Sequence, residues 1–94
     1  MPSLPIQPTA YRVTATGVAA LVITSVDRYE TAFLIRNTDA TLSVFLGDSA
    51  VTVGTGYEVR AGEAVALGLG DLQSIYGITA GANVVLDIIE RVSQ

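Results

Sequence analysis

The side chains able to do chemistry in this chain are nine carboxylates, five arginines and four tyrosines, with no histidine, cysteine, lysine or tryptophan beside them. A serine nucleophile needs a neighbouring base, and without histidine the Ser-His-Asp arrangement has nothing to take the proton. Without lysine, Schiff-base chemistry and Ser-Lys dyads are equally closed, as is a lysine–asparagine isopeptide. Zinc sites built from histidine and cysteine are excluded. Two carboxylates remain able to act as acid and base on a glycosidic bond. However, Asp27, Glu30, Asp39, Asp48, Glu63 and Asp71 all stand at turn positions. Aspartate at such places caps the turn through its own side chain, and the loop faces water. These acids read as solvated turn residues, and the chain as no enzyme.

Ligand chemistry fares no better. Asp39, Asp48 and Ser49 are candidate oxygen donors, but no D-x-D-x-D-G series gathers several oxygens in one compact loop, as calcium requires. Gly54, Gly56, Gly68 and Gly70 precede no helix and accompany no lysine, so they read as bends and bulges rather than a phosphate cradle. The tyrosines read as half-buried strand residues with wet hydroxyls. No cofactor and no metal is expected.

Charge narrows the partners. The formal net charge is −4, and Arg12, Arg28, Arg36, Arg60 and Arg91 are scattered, so a phosphate backbone meets no clustered cations. An acidic surface also disfavours anionic membranes. The first basic side chain is Arg12, which leaves no basic region ahead of an apolar stretch. The longest apolar-rich run, 18–26, contains Thr24 and Ser25 and is too short to span a bilayer. The chain is expected to be made and used without passing through a secretion channel.

The elements that must position these residues are strands. With 94 residues the chain forms one domain, which buries roughly 60–65% of its unfolded surface. Short runs rich in Val, Ile, Leu and Thr alternate with turn signals at 11–15, 19–26, 31–36, 42–46, 51–53, 57–60, 64–69, 75–80 and 84–92. Residues 70–73 break the pattern, as a single 3₁₀ turn would. The last two runs are expected to pair as a hairpin across Gly81-Ala82-Asn83. Segment 84–92 also fits a helical period through Val85, Ile88, Ile89 and Val92, but its β-branched density favours a strand. Eight or nine strands at such spacing predict an all-β fold, an antiparallel β-sandwich of two sheets.

Two features point outward from that sandwich. Residues 1–10 carry Pro2, Pro5 and Pro8 around Leu4 and Ile6 with no charge, which predicts an extended arm ahead of a sandwich domain over 11–94. Leu4, Pro5, Ile6, Pro8 and Tyr11 are the expected subunit or capsid contacts. Several strands are also apolar on both faces: Val84, Leu86 and Ile88 face one way in 84–92, while Val85 and Ile89 flank Asp87 on the other. In 64–69 one face holds only Ala64, Ala66 and Gly68. Strands read this way when both faces are covered. Half the residues are apolar and 15% charged, a lean surface for a lone copy. Small domains without disulfides often gain stability by oligomerising.

Val44-Phe45-Leu46-Gly47-Asp48-Ser49-Ala50-Val51-Thr52, then Gly56-Tyr57-Glu58-Val59 and Ala61-Gly62-Glu63, resemble a pattern of small virion proteins from tailed bacteriophages. So does Asp71-Leu72-Gln73-Ser74-Ile75-Tyr76-Gly77-Ile78-Thr79-Ala80, followed by a strand ending in Glu90. The resemblance runs over about 33–92, and its motifs are sandwich punctuation more than a site. It is a likeness to capsid cement or decoration proteins and to the base domains of head fibres. It implies a jelly-roll-like sandwich, commonly a homotrimer, that sits on the capsid exterior and clamps adjacent subunits of the major capsid protein, with synthesis in the host cytoplasm. It implies no cofactor and no active site. The rival expectations are a carbohydrate- or receptor-binding module of a fibre or tail, and a neck or tail connector.

Overall fold

The structure is a computed structural model, and residues 9–24, 31–69 and 74–92 are described. Among them are eight strands: β1 (Thr9–Ala15), β2 (Ala20–Thr24), β3 (Thr31–Asn37), β4 (Val44–Gly47), β5 (Tyr57–Val59), β6 (Ala64–Leu69), β7 (Ser74–Ile78) and β8 (Val84–Val92). They form two four-stranded antiparallel sheets, ordered β1-β8-β3-β6 and β2-β7-β4-β5. The pairing is nested, first strand with last: β1 with β8, β2 with β7, β3 with β6, β4 with β5. One long antiparallel ribbon, folded over so that β8 also meets β3 and β7 also meets β4, gives this order. That is the jelly roll. The expected all-β sandwich is therefore the architecture.

Alternation decides which side chains enter the core. In β3, Phe33, Ile35 and Asn37 are buried while Ala32, Leu34 and Arg36 face out. In β8, Val84, Leu86 and Ile88 are buried against Ile35, Val44, Leu46 and Val59 of the same cluster. The period-2 burial of β8 settles its type as strand. At Gly77, on β7, a Cβ would lie 2.8 Å from Val22 Cγ2, so the side chains of the neighbouring strands β2 and β4 leave room there for hydrogen only.

Two expectations fail. Residues 51–53 form no strand. The Val51 N–H donates to the Asp48 carbonyl (3.0 Å), and the Thr55 and Gly56 N–H groups both donate to the Thr52 carbonyl (3.1 and 2.9 Å). These turn bonds take the donors and acceptors a ladder would need, and Val51 enters the core from a loop. The second failure concerns β7 and β8, which are not a hairpin, because they lie in different sheets. Thr79, fully buried at the corner, redirects the chain: its N–H donates to the Thr16 carbonyl (2.8 Å), its hydroxyl donates to Ala82 O, and it accepts from the Gly81 N–H. Gly81 adopts φ +140°, which a side chain resists. The expected 3₁₀ turn at 70–73 and residues 1–8 of the arm expected over 1–10 lie outside the described residues, and Thr9 and Ala10 of that arm belong to β1.

Asn37 ties the other corner. It is completely buried, and its Nδ2 donates to the carbonyls of Leu42 (2.8 Å) and Val59 (2.9 Å), while its Oδ1 accepts from the Asp39 N–H (2.9 Å). The end of β3 is thus fastened to the opposite sheet through Val59. Replacing Asn37 with alanine strands these backbone groups. We expect Asn37→Ala to cost roughly 3 kcal/mol and to lower Tm by on the order of 15 °C, read by thermal circular dichroism. A loss under about 1 kcal/mol would mean that the corner is held by other contacts.

Candidate functional site

The described carboxylates are occupied with structure. Asp39 Oδ2 accepts from the N–H groups of Thr41 (2.9 Å) and Leu42 (2.8 Å), closing the loop between β3 and β4. Asp48 accepts from the Ala50 N–H (2.9 Å), and Glu63 from the Arg60 N–H (2.9 Å) across the β5–β6 turn. That turn places Gly62 at φ +78°, where glycine alone is unstrained. Glu58 accepts from the Ser43 hydroxyl at 2.8 Å and lies 3.7 Å from Arg60 Nε. Among the described residues no group of three or more acids gathers to hold a metal ion.

What the fold does assemble is a surface. On the outward side of the β1-β8-β3-β6 sheet, cross-strand register lines up Ala10, Ile89, Leu34 and Ala66 in one row. Leu34 is 44% exposed and Ile89 41%, although each is flanked by two strands. The neighbouring row reads Arg12, Asp87, Arg36 and Ala64. Arg12 Nε donates to Asp87 Oδ1 at 2.8 Å, and Arg36 stands opposite Asp87 on the other side. On the far side of the apolar row come Arg91, Ala32 and Gly68. Shallow depressions run over both flanks of the Leu34–Ile89 pair. β6 contributes only Ala64, Ala66 and Gly68, so that edge is low and lets another backbone approach.

The opposite sheet has a smaller apolar exterior. Phe45 faces Ile78, and Tyr76 faces both Leu21 and Gly47. Leu21 is 48% exposed, the other four partly buried.

Of the residues expected to make contacts, Leu4, Pro5, Ile6 and Pro8 lie outside the described residues. Tyr11 packs against the core from β1. Partial burial, and after it the Glu90 carboxylate, hold its phenol above the ordinary pKa. The outward residues read from alternation in 84–92, Val85 and Ile89, are exposed, but the Arg12–Asp87–Arg36 row was not foreseen. Its signal is faint: one lone acid, Asp87, inside an apolar strand.

No family model matches the chain, and no curated protein matches it. The class that the topology defines is a small jelly-roll sandwich. Among solved structures the chain is similar to one from Bacillus endospore appendages, described as a novel family of disulfide-linked pili, at 15% identity and a TM-score of 0.55. That alignment covers 96% of this chain and 88% of the other. At such identity the likeness concerns the fold. With no cysteine, this chain cannot form a disulfide linkage.

The loop role of Asp39 has a pH signature. Backbone hydrogen bonds from Thr41 and Leu42 hold its carboxyl below the ordinary value. A depressed folded pKa adds stability that is complete above the unfolded pKa and is lost as pH falls through the folded one. Asp39→Asn should therefore be less stable than the parent near neutrality, with the gap in Tm narrowing as pH drops below about 4. A gap that stays constant across the acid limb would contradict this.

Proposed function

We propose that this chain is a non-enzymatic structural protein of a tailed-bacteriophage virion, a capsid decoration protein that oligomerises on the shell and clamps adjacent major capsid protein subunits. The observation that carries the reading is the row of Ala10, Ile89, Leu34 and Ala66 on the outside of a sheet whose interior is already filled. An exposed apolar row on the central strands contributes nothing to the fold of one copy and is the kind of patch that a neighbour covers. The turn-capping carboxylates support a role without catalysis. The likeness to a chain from pili agrees with a structural role in general and is silent on phage.

A shell stabiliser works by mass action, because anything that binds only the assembled particle shifts the balance toward it. The absence of cysteine leaves such binding to non-covalent contacts. Synthesis in the host cytoplasm and placement on the capsid exterior follow from the same reading. The resemblance suggests a homotrimer, and the arm residues Leu4, Pro5, Ile6 and Pro8, with Tyr11, as further contacts.

One observation favours a second reading. Tyr57 is 65% exposed beside a cleft lined by Leu46, Val65, Leu67 and Ile75, and jelly rolls also serve as lectins. A glycan array separates the two: specific hits lost on Tyr57→Ala would favour a fibre or tail recognition module.

The decoration reading is tested by mass spectrometry of density-purified virions carrying this protein, and by adding the purified chain to shells that lack it. The expected result is a stoichiometric component that rebinds saturably and raises the temperature at which shells disrupt. Absence from purified particles, with no rebinding, would overturn it.

A further inference from the structure

The outward face of the β1-β8-β3-β6 sheet differs in sign from the rest of the molecule. It carries Arg12, Arg36 and Arg91 against Asp87, which is 3 − 1 = +2. The whole chain is −4, so everything else sums to −4 − 2 = −6. Three of the five arginines therefore share one face with the Leu34–Ile89 pair at its centre.

This pattern bears on how two copies can meet. A two-fold interface places the same patch on both partners. With a two-fold axis along the strands, the Arg12–Asp87–Arg36 row faces its own copy. With the axis across them, that row faces Arg91. An axis along the strands between β8 and β3 brings Asp87 against the copy's Arg36, but in either arrangement a face of net charge +2 meets a second face of +2, which costs affinity.

A complementary surface exists on the same chain. At one end of the sandwich the loop after β3 and the turn before β6 are hydrogen-bonded together, Asn37 N–H to Glu63 O at 2.9 Å and Gly62 N–H to Asn37 O at 3.0 Å. The loop after β1 joins them through Thr16 and Thr79. This end exposes Val18 at 72% and Leu42 at 39%, and it carries Asp39, Glu58 and Glu63 against Arg60, which is 1 − 3 = −2. This end is net acidic and exposes two apolar side chains, where the sheet face is net basic and exposes the Leu34–Ile89 pair.

We infer that the outward face of the β1-β8-β3-β6 sheet is the receiving half of a heterologous interface, and that its occupant is the acidic loop end, Val18 and Leu42 with Asp39 and Glu63, of a second copy of this chain. Head-to-side contacts of this kind close into a ring of three or more copies or propagate, and do not stop at a two-fold pair. The inference rests on the reading of the chain as an assembling subunit, but not on which particle it joins. A chain absent from virions could still associate in this way, and a virion component could still fail to do so.

The test is sedimentation velocity on the full chain and two variants, each checked for native fold by circular dichroism. Leu34→Glu with Arg36→Glu spoils the sheet face. Val18→Arg with Glu63→Arg spoils the loop end. The parent should form species larger than a dimer, at least tenfold weaker in 0.5 M than in 0.02 M salt, since the Debye length shortens severalfold over that range. Each variant alone should be monomeric. Mixed, they should recover a two-copy species, because each retains one intact half. A monomeric parent, a parent that stops at a dimer, or a mixture that remains monomeric would overturn the inference.

Discussion

The constraint on which the rest depends is that β8 is apolar on both of its faces and hydrogen-bonded along both of its edges. Val84, Leu86 and Ile88 fill the interior, β1 and β3 take up the backbone, and Val85 and Ile89 are left pointing away from the core. A strand at the edge of a sheet could shift or bulge to hide such residues. A strand in the middle cannot, since slipping by one residue would move the whole inward set outward. The exposed row across Ile89 and Leu34 is therefore built into the register.

The same nested ribbon explains where polar chemistry goes. Among the described residues, crossings from one sheet to the other leave backbone groups without ladder partners, and short polar side chains satisfy them. Asn37 serves one crossing and Thr79 another, while Asp39, Asp48 and Glu63 cap the loops between. Among the described residues no buried side-chain nitrogen or oxygen lacks a partner. Among the described residues, the carboxylates that a catalytic reading would enlist, Asp39, Asp48 and Glu63, are engaged at separate turns. What is left exposed is an arrangement of apolar and charged rows suited to contact between proteins.

Much of this was legible in the residues. Period-2 alternation located the strands, with 64–69 and 84–92 matching β6 and β8 end to end. It also separated the core faces of β6 and β8 from the outward ones. Alternation carries no record of which strand pairs with which, so two runs joined by a short Gly-containing link read as a hairpin when the link is a corner between sheets. Val51 misled for a related reason: one β-branched residue can reach the core from a turn, and the Thr52–Thr55 bonds that make the turn are not visible as a pattern. The charged row was hidden more deeply. Arg12, Arg36 and Asp87 are distant in sequence and meet only when β8 is set between β1 and β3. The arm residues Leu4, Pro5, Ile6 and Pro8 remain part of the proposal on sequence grounds.

Methyl NMR with a soluble paramagnetic agent, applied to the assembled protein, measures most directly whether the outer side of the central strands is a contact surface. Signals of Leu34, Val85 and Ile89 should lose most of the relaxation enhancement that their exposure in a single copy implies, while methyls of Leu21, on the exterior of the β2-β7-β4-β5 sheet, stay accessible. Equal accessibility of all four in the assembled state would mean that the sheet exterior meets only water, and the structural role argued from it would fall.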